Sequence, residues 1–285
     1  MFPVYILFFS SIGWGLTWLP VKYLNQSGID GVELIFIAFS AASIVMLPQL
    51  LRQRSRWLQH TNFLLSIALV GGIANIAFQA SLIYGEVVRV MILFYLLPIW
   101  SVIGGRLFLK EEIDGKRIFT VVSCITGAFL ILGGMAIFEQ TPSWIDVMSV
   151  ISGFAYAMNN LLFRATQQIP VASKVAAMFI GCAVLLGGYL FLIPAEQFAN
   201  QTVNNISLTI LYGITWLSLV SFGSQWGVTQ IEAGRASIII VMELVAAVVS
   251  AALILGQVLS VVELLGIVLV ISSVMIEGTR KPESA

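Results

Sequence analysis

The chain has 285 residues, 59% of them hydrophobic and 10% charged, with a formal net charge of zero at pH 7. Its mean hydropathy is +0.99, whereas a soluble globular domain is about 45–50% apolar and about 25% charged. This composition excludes a soluble protein and identifies an integral membrane protein whose surroundings are the lipid bilayer.

A spanning helix needs about 20 mostly apolar residues, and ten runs of about that length lie between the charged or Pro/Gly-rich breaks: 3–23, 31–51, 62–83, 87–108, 117–136, 144–163, 174–193, 207–229, 235–255 and 260–276. They are continuously apolar, unlike the alternating strands of a β-barrel, so an all-α membrane fold of ten helices is expected. So many spans leave no room for a soluble domain. No positive residue precedes Lys22, so the first run lacks the basic region of a cleaved signal and reads as a retained helix.

The first run contains Trp14 and Trp18, and the third contains Gln79. Between the second and third runs lies the single histidine, His60, in a loop with Arg52, Arg54 and Arg56. That placement argues against metal chemistry, and no metal or other cofactor is expected. Cys124 and Cys182 sit inside apolar runs with no CxxC spacing and read as packing residues, although a disulfide between them is possible in principle.

The stretch Tyr84–Gly134 recurs near the C-terminus at an offset of 146. Laying Arg89 on Arg235 also lays Glu86 on Glu232, Ile92 on Ile238, Leu107 on Leu253, Val122 on Val268 and Ile125 on Ile271. The doubled Glu-x-x-Arg at the head of both runs makes this an internal repeat rather than a chance match of aliphatic residues. An offset of 140 lays Gly13-Trp14-Gly15 on Gly153-Phe154-Ala155, which extends the repeat to the helices that open each half. Two five-helix units follow, 1–137 and 144–278, joined by the loop Phe138–Ser143. Five helices per unit is an odd number, so the second unit enters the membrane from the opposite side and the repeat is inverted. With the N-terminus cytoplasmic, only Lys22 and Arg89 of the 14 Lys and Arg residues fall on the outer side. That bias places both termini in the cytoplasm.

The chain resembles the EamA-type members of the drug/metabolite transporter superfamily. The resemblance is carried by Trp14-Gly15, by Tyr84 before the fourth helix and by Pro98 within it. Two turns complete it: Leu109-Lys110-Glu111-Glu112-Ile113 and Leu255-Gly256-Gln257-Val258-Leu259. The family's pattern at these turns is Leu-Gly-Glu-x-Leu/Ile. The first turn has Lys110 for the glycine and the second has Gln257 for the glutamate, while the arginine usual in the second helix is absent from Ile35–Met46. The resemblance covers nearly the whole chain and implies ten helices in inverted five-helix repeats, with export from the bacterial cytoplasm as the usual activity. Family members move amino acids, other metabolites and toxic cations, so it does not specify a substrate.

Glu243 lies deep in the ninth run, where a charged group costs at least about 2.5–3.5 kcal/mol and normally faces a cavity or a partner. It reads either as a holder of a substrate ammonium or coupling proton, or as a structural hydrogen-bonding group. The pairs Glu86/Arg89 and Glu232/Arg235 have i,i+3 spacing at the starts of two helices. They read as local stabilisation or as gates on opposite sides of the membrane, and Pro98, grouped with them, reads as a kink in the fourth helix. Tyr95, Tyr156, Asn159, Asn160, Gln225 and Trp226 join Trp14, Trp18 and Gln79 as candidate substrate contacts, because amides in hydrocarbon need partners. Each aromatic residue is equally consistent with packing or an interfacial belt.

An intramembrane enzyme would need paired catalytic groups at membrane depth, and Asp30, Asp114 and Asp146 all fall near helix ends. No Walker-type GxxxxGK[ST] occurs either. The sequence therefore predicts a non-enzymatic secondary transporter of the bacterial inner membrane that exports aromatic or neutral amino acids, or related amphipathic compounds, by alternating access. Its partner is a small-molecule substrate, with no nucleic acid, and the chain is expected to act as a monomer, a dimer being possible. An exporter of lipophilic cations or drugs, which Glu243 and aromatic walls would suit, and an uncoupled facilitator remain alternatives.

Overall fold

The computed structural model describes residues 1–29, 31–85, 87–134, 141–192 and 201–280, and its regular structure there is entirely helical. In chain order the long helices are α1 (Phe2–Gln26), α2 (Gly31–Arg52), α3 (Arg54–Leu82) and α4 (Val87–Leu109). Then come α5 (Gly115–Ile131) and α6 (Trp144–Ala165). The last four are α7 (Val171–Phe191), α8 (Val203–Gln230), α9 (Ala233–Leu255) and α10 (Val261–Gly278). Eight of these are long and apolar enough to cross a membrane, which makes the protein an all-helical, multi-pass membrane protein.

The two others depart from that standard for different reasons. Helix α5 has 17 residues, or about 25 Å of rise, against a hydrocarbon core of about 30 Å. The sequence predicts a run to residue 136, but the helix stops early because Gly133 turns into the left-handed region at φ 64°; 135 and 136 lie outside the described residues. Helix α6 has 22 residues but carries Asp146, Asn159, Asn160 and Arg164. Both asparagines are buried, so this helix is more polar because it faces other helices.

Three helices break midway, and a fourth, α8, passes through a π-helical stretch at Gly213–Leu217. A proline ring clashes with the carbonyl four residues earlier, and two breaks fall there: α1 divides into Phe2–Gly15 and Trp18–Gln26 ahead of Pro20, and α4 divides into Val87–Phe94 and Leu97–Leu109 ahead of Pro98. Helix α9 divides into Ala233–Ile240 and Met242–Leu255 with no proline nearby. There the ladder tightens into i→i−3 bonds, Val241 N–H to Ile238 C=O at 3.2 Å and Leu244 N–H to Val241 C=O at 3.0 Å. A short tight turn inside a long helix often marks a functional hinge.

The packing has a regular pattern. Helix α3 lies along α6 and α1 along α8; α4 packs on α6 and α1 on α9; α3 packs on α7 and α2 on α8. The pairs α2–α7, α4–α9 and α5–α10 also pack together. Shifting each label by five turns this set into itself. The offset of 146 is reproduced in the helix bounds: Val87 and Leu109 bound α4, and Ala233 and Leu255 bound α9. Lys110 and Gly256 then follow in left-handed conformation, at φ 60° and 68°, and Asp114 and Ser260 cap α5 and α10 with their side chains. The cysteines are free and buried.

Candidate functional site

Glu243 occupies the first turn of the second half of α9, beside the break. Across from it stands Tyr95, the residue after the first half of α4 ends, and the Tyr95 hydroxyl donates to Glu243 Oε1 at 2.9 Å. The two breaks thus meet through one hydrogen bond. Helix α1 comes onto the same place because Gly15 has no side chain: a Cβ there would overlap the Glu243 carbonyl oxygen.

Glu243 lines a small cavity of about 60 Å³ with Trp14, Asn75, Gln79, Phe94 and Tyr156. Trp14 and Gln79 also line a larger cavity of about 250 Å³, walled by apolar residues including Ile35, Phe39 and Leu217 and reaching Asn25, Gly31 and Leu82. Those three residues mark one end of the bundle, at the C-terminus of α1, the N-terminus of α2 and the C-terminus of α3. We refer to it as the vestibule end. The larger cavity is just under the ~300–1,000 Å³ of typical ligand sites. Aromatic rings surround the acid: Phe94 packs at a tilt against Phe78 at 4.5 Å and Tyr156 at 5.8 Å, and edge-on against Tyr95 at 5.4 Å.

Toward the opposite end the path is closed, since every residue from Ile231 to Met242 is buried. That end holds a buried ion network. Arg117 pairs with Glu232 and lies 3.6 Å from Glu277, and Thr120 donates to Glu277 Oε1 at 2.8 Å. At the exposed rim of this network Arg280 forms a bidentate pair with Asp114 at 3.0 Å and 3.0 Å. Arg235 donates to the carbonyl of Gly278 at 2.7 Å. Glu111, folded back by the left-handed Lys110, accepts from the Ala233 N–H at 2.9 Å and caps the N-terminus of α9. A carboxylate is well placed there, against the positive end of the helix dipole. Burial nevertheless holds its pKa above the usual 4.5, against the Ala233 and Gly234 amides that lower it.

The other sequence-predicted residues divide among several places. Arg89, at the vestibule end, makes a bidentate pair with Asp146 of α6 at 2.5 Å and 2.8 Å; Glu86 lies outside the described residues. Asn160 Oδ1 accepts from Gln225 at 3.3 Å within the α6–α8 contact, and Asn159 sits 3.8 Å from the sulfur of Met178. Neither asparagine lines the Glu243 cavity. The Trp18 indole donates to Ser250 at 3.0 Å and carries Lys22 over its ring. Trp226 packs edge-on against Phe2 in a separate apolar groove between α1 and α8. Pro98 begins the second half of α4.

Sequence reasoning missed Asn75, Phe78 and Phe94 around the acid, and Arg117, Glu277 and Glu111 in the ion network. Glu277 left a signal: a carboxylate at the C-terminal end of an apolar run opposes the helix dipole and needs a partner. Asn75, Phe78 and Phe94 left none that separates them from packing residues.

The profile of the EamA-like transporter family matches the chain twice, over residues 1–133 and 143–277. A relative from Streptantibioticus cattleyicolor, named a probable terminal-alkyne amino-acid exporter, is 26% identical across 97% of this chain and 93% of its own. An uncharacterized transporter from Clostridium kluyveri is 23% identical across 88% of this chain and 84% of its own. A protein of known crystal structure shares the fold at a TM-score of 0.79, covering 96% of this chain and 95% of that one at 14% identity. The chain is a membrane transporter and not an enzyme: it belongs to the EamA-like transporter family.

Proposed function

We propose that the protein is a secondary transporter of the bacterial inner membrane, acting as a monomer, that exports neutral or aromatic amino acids by alternating access. In this reading all ten helices span the membrane as two inverted units of five, with both termini cytoplasmic. The exchange of helix pairs under a shift of five supports that arrangement, as does the clustering of Arg117, Arg235 and Arg280 at one end. That end is then cytoplasmic, and the vestibule opens outward.

The observation that carries the reading is the Tyr95–Glu243 hydrogen bond at the meeting of two interrupted helices, on the wall of an aromatic cavity. A lone acid at that depth suits an ammonium group, and the rings around it suit an apolar or aromatic side chain. The relative named as an amino-acid exporter points the same way. A second reading, export of lipophilic cations, is favoured by the same acid and rings.

The test is flux in proteoliposomes. Labelled phenylalanine, leucine and threonine, and the lipophilic cation tetraphenylphosphonium, are each followed with and without a pH gradient. Amino-acid flux that responds to the gradient supports coupled export, and flux indifferent to it supports a facilitator. Movement of the cation alone overturns the amino-acid assignment.

A further inference from the structure

The cavity beside Glu243 offers more than a place for a cation. The Trp14 indole N–H is fully buried and has no hydrogen-bond partner among the described residues. An indole nitrogen can only donate, so what satisfies it must be an acceptor. Gln79 lines both cavities beside Trp14 and likewise makes no hydrogen bond among the described residues. The neighbouring Asn75 spends one of its donors on the carbonyl of Gly71 at 2.8 Å. The wall that holds one carboxylate for a cation therefore also carries a donor-only group and an uncommitted amide. A substrate with an amine alone leaves that second pair unanswered. A substrate carrying a carboxylate next to its ammonium answers both.

We propose that Trp14 and Gln79 receive the carboxylate of an amino acid whose ammonium rests on Glu243, so that the site selects zwitterions over amines bearing the same side chain. This rests on the amino-acid reading above and assigns the substrate's two charged groups to different protein groups. The apolar side chain then extends into the larger cavity, between Ile35, Phe39 and Leu217. The ring-lined space at Glu243 alone would admit cations without distinction; the donors on its wall make the discrimination. Sites built to bond a polar substrate group strongly reject analogues that lack it, because the protein's own groups are left unpaired.

The experiment is direct binding to the purified full chain in detergent. Labelled phenylalanine, leucine and threonine are each compared with the corresponding amide, which keeps the ammonium and replaces the carboxylate by a neutral carboxamide. The wild type is expected to bind an amino acid at least about tenfold more tightly than its amide. Gln79→Leu and Trp14→Phe each weaken the amino acid about tenfold and leave the amide within about twofold, the range expected for one lost hydrogen bond to a charged group. Amide binding thus reports that a variant is folded. Gln79→Glu, which sets a second carboxylate against the substrate's own, reverses the preference in favour of the amide.

Equal binding of amino acid and amide by the wild type overturns the proposal and leaves the amino-acid reading standing. So does a parallel loss of both ligands in Gln79→Glu. If neither amino acids nor amides bind and tetraphenylphosphonium does, the amino-acid reading fails and takes this proposal with it.

Discussion

The two ends of the α4–α9 pair share one backbone and differ in chemistry. At the closed end Glu111, Arg117, Glu232 and Glu277 are all buried, and Gly105 leaves room for the Glu111 carboxylate. Shifted by 146, those positions at the vestibule end read Gln257 for Glu111, Glu263 for Arg117 and Ala251 for Gly105, while Ile131 stands for Glu277. Gln257 is exposed and Glu263 is spent on capping its own helix. Between α4–α5 and α9–α10 the repeat reproduces helix bounds, breaks and caps to within one residue, yet among the described residues it does not reproduce the ion network. Helix geometry is therefore set by features both halves keep, and the locking of one end by features only one half has.

Breaking the network tests this difference most severely. Arg117→Met removes the guanidinium between Glu232 and Glu277 in a buried site and should cost about 3–5 kcal/mol. Arg89→Met, at the partly exposed pair on the other end, should cost only about 1 kcal/mol. Denaturation in detergent measures both, and equal losses would erase the contrast between the ends. Between them, Glu243→Gln removes the charge that faces the cavity and should lower amino-acid flux about a hundredfold, equivalent to about 2.7 kcal/mol. Flux in proteoliposomes reports it, and an unchanged rate would reduce Glu243 to a structural partner of Tyr95.

A smaller effect is expected at the paired turns. Lys110 is held at φ 60°, where Gly256 stands at φ 68° in the second copy. Left-handed geometry is costly for any residue with a Cβ, so Lys110→Gly should stabilise the protein by about 1 kcal/mol and Gly256→Lys should destabilise it by a similar amount. Thermal unfolding of the two variants checks the pair.

The smallest effect is a difference in pH response between two carboxylates in the same loop. Glu111 is raised by burial, so its stabilising contribution is full below about pH 4.5 and is lost as the pH rises through the raised value. Asp114 is held below 3.8, first by the Arg117 backbone N–H and then by the Arg280 guanidinium. Its contribution is present above that pH and is lost as the pH falls through the lowered value. Glu111→Gln should therefore gain on the wild type as the pH rises above 4.5, and the deficit of Asp114→Asn should shrink as the pH falls below 3.8. Melting curves across that range separate the two, and parallel curves would remove the distinction.

Much of the frame was legible in the sequence because apolar run length and the 146 offset are written in residue order. The break in α4 was legible as well, since Pro98 removes an N–H and crowds the preceding turn. The break in α9 was not: Val241 and Leu244 form their tight turn with ordinary helix-compatible residues, under packing from Gly15 of a distant helix. Glu243 announced itself by being an acid in hydrocarbon. Its bond to Tyr95, 148 positions away, is a product of tertiary packing, as is the pairing of Arg89 with Asp146. Periodicity cannot show which distant residue comes to face which, so i,i+3 neighbours were the pairs the sequence offered.

The ion network also joins two distant parts of the chain in time. Glu111, Asp114 and Arg117 are synthesised before the midpoint, whereas Glu232, Glu277 and Arg280 belong to the last quarter of the sequence. The early Glu111 and Arg117 meet their partners only once α9 and α10 are in place. The closed end of the transporter is thus completed by the last two helices to be made, and no shorter chain can form it.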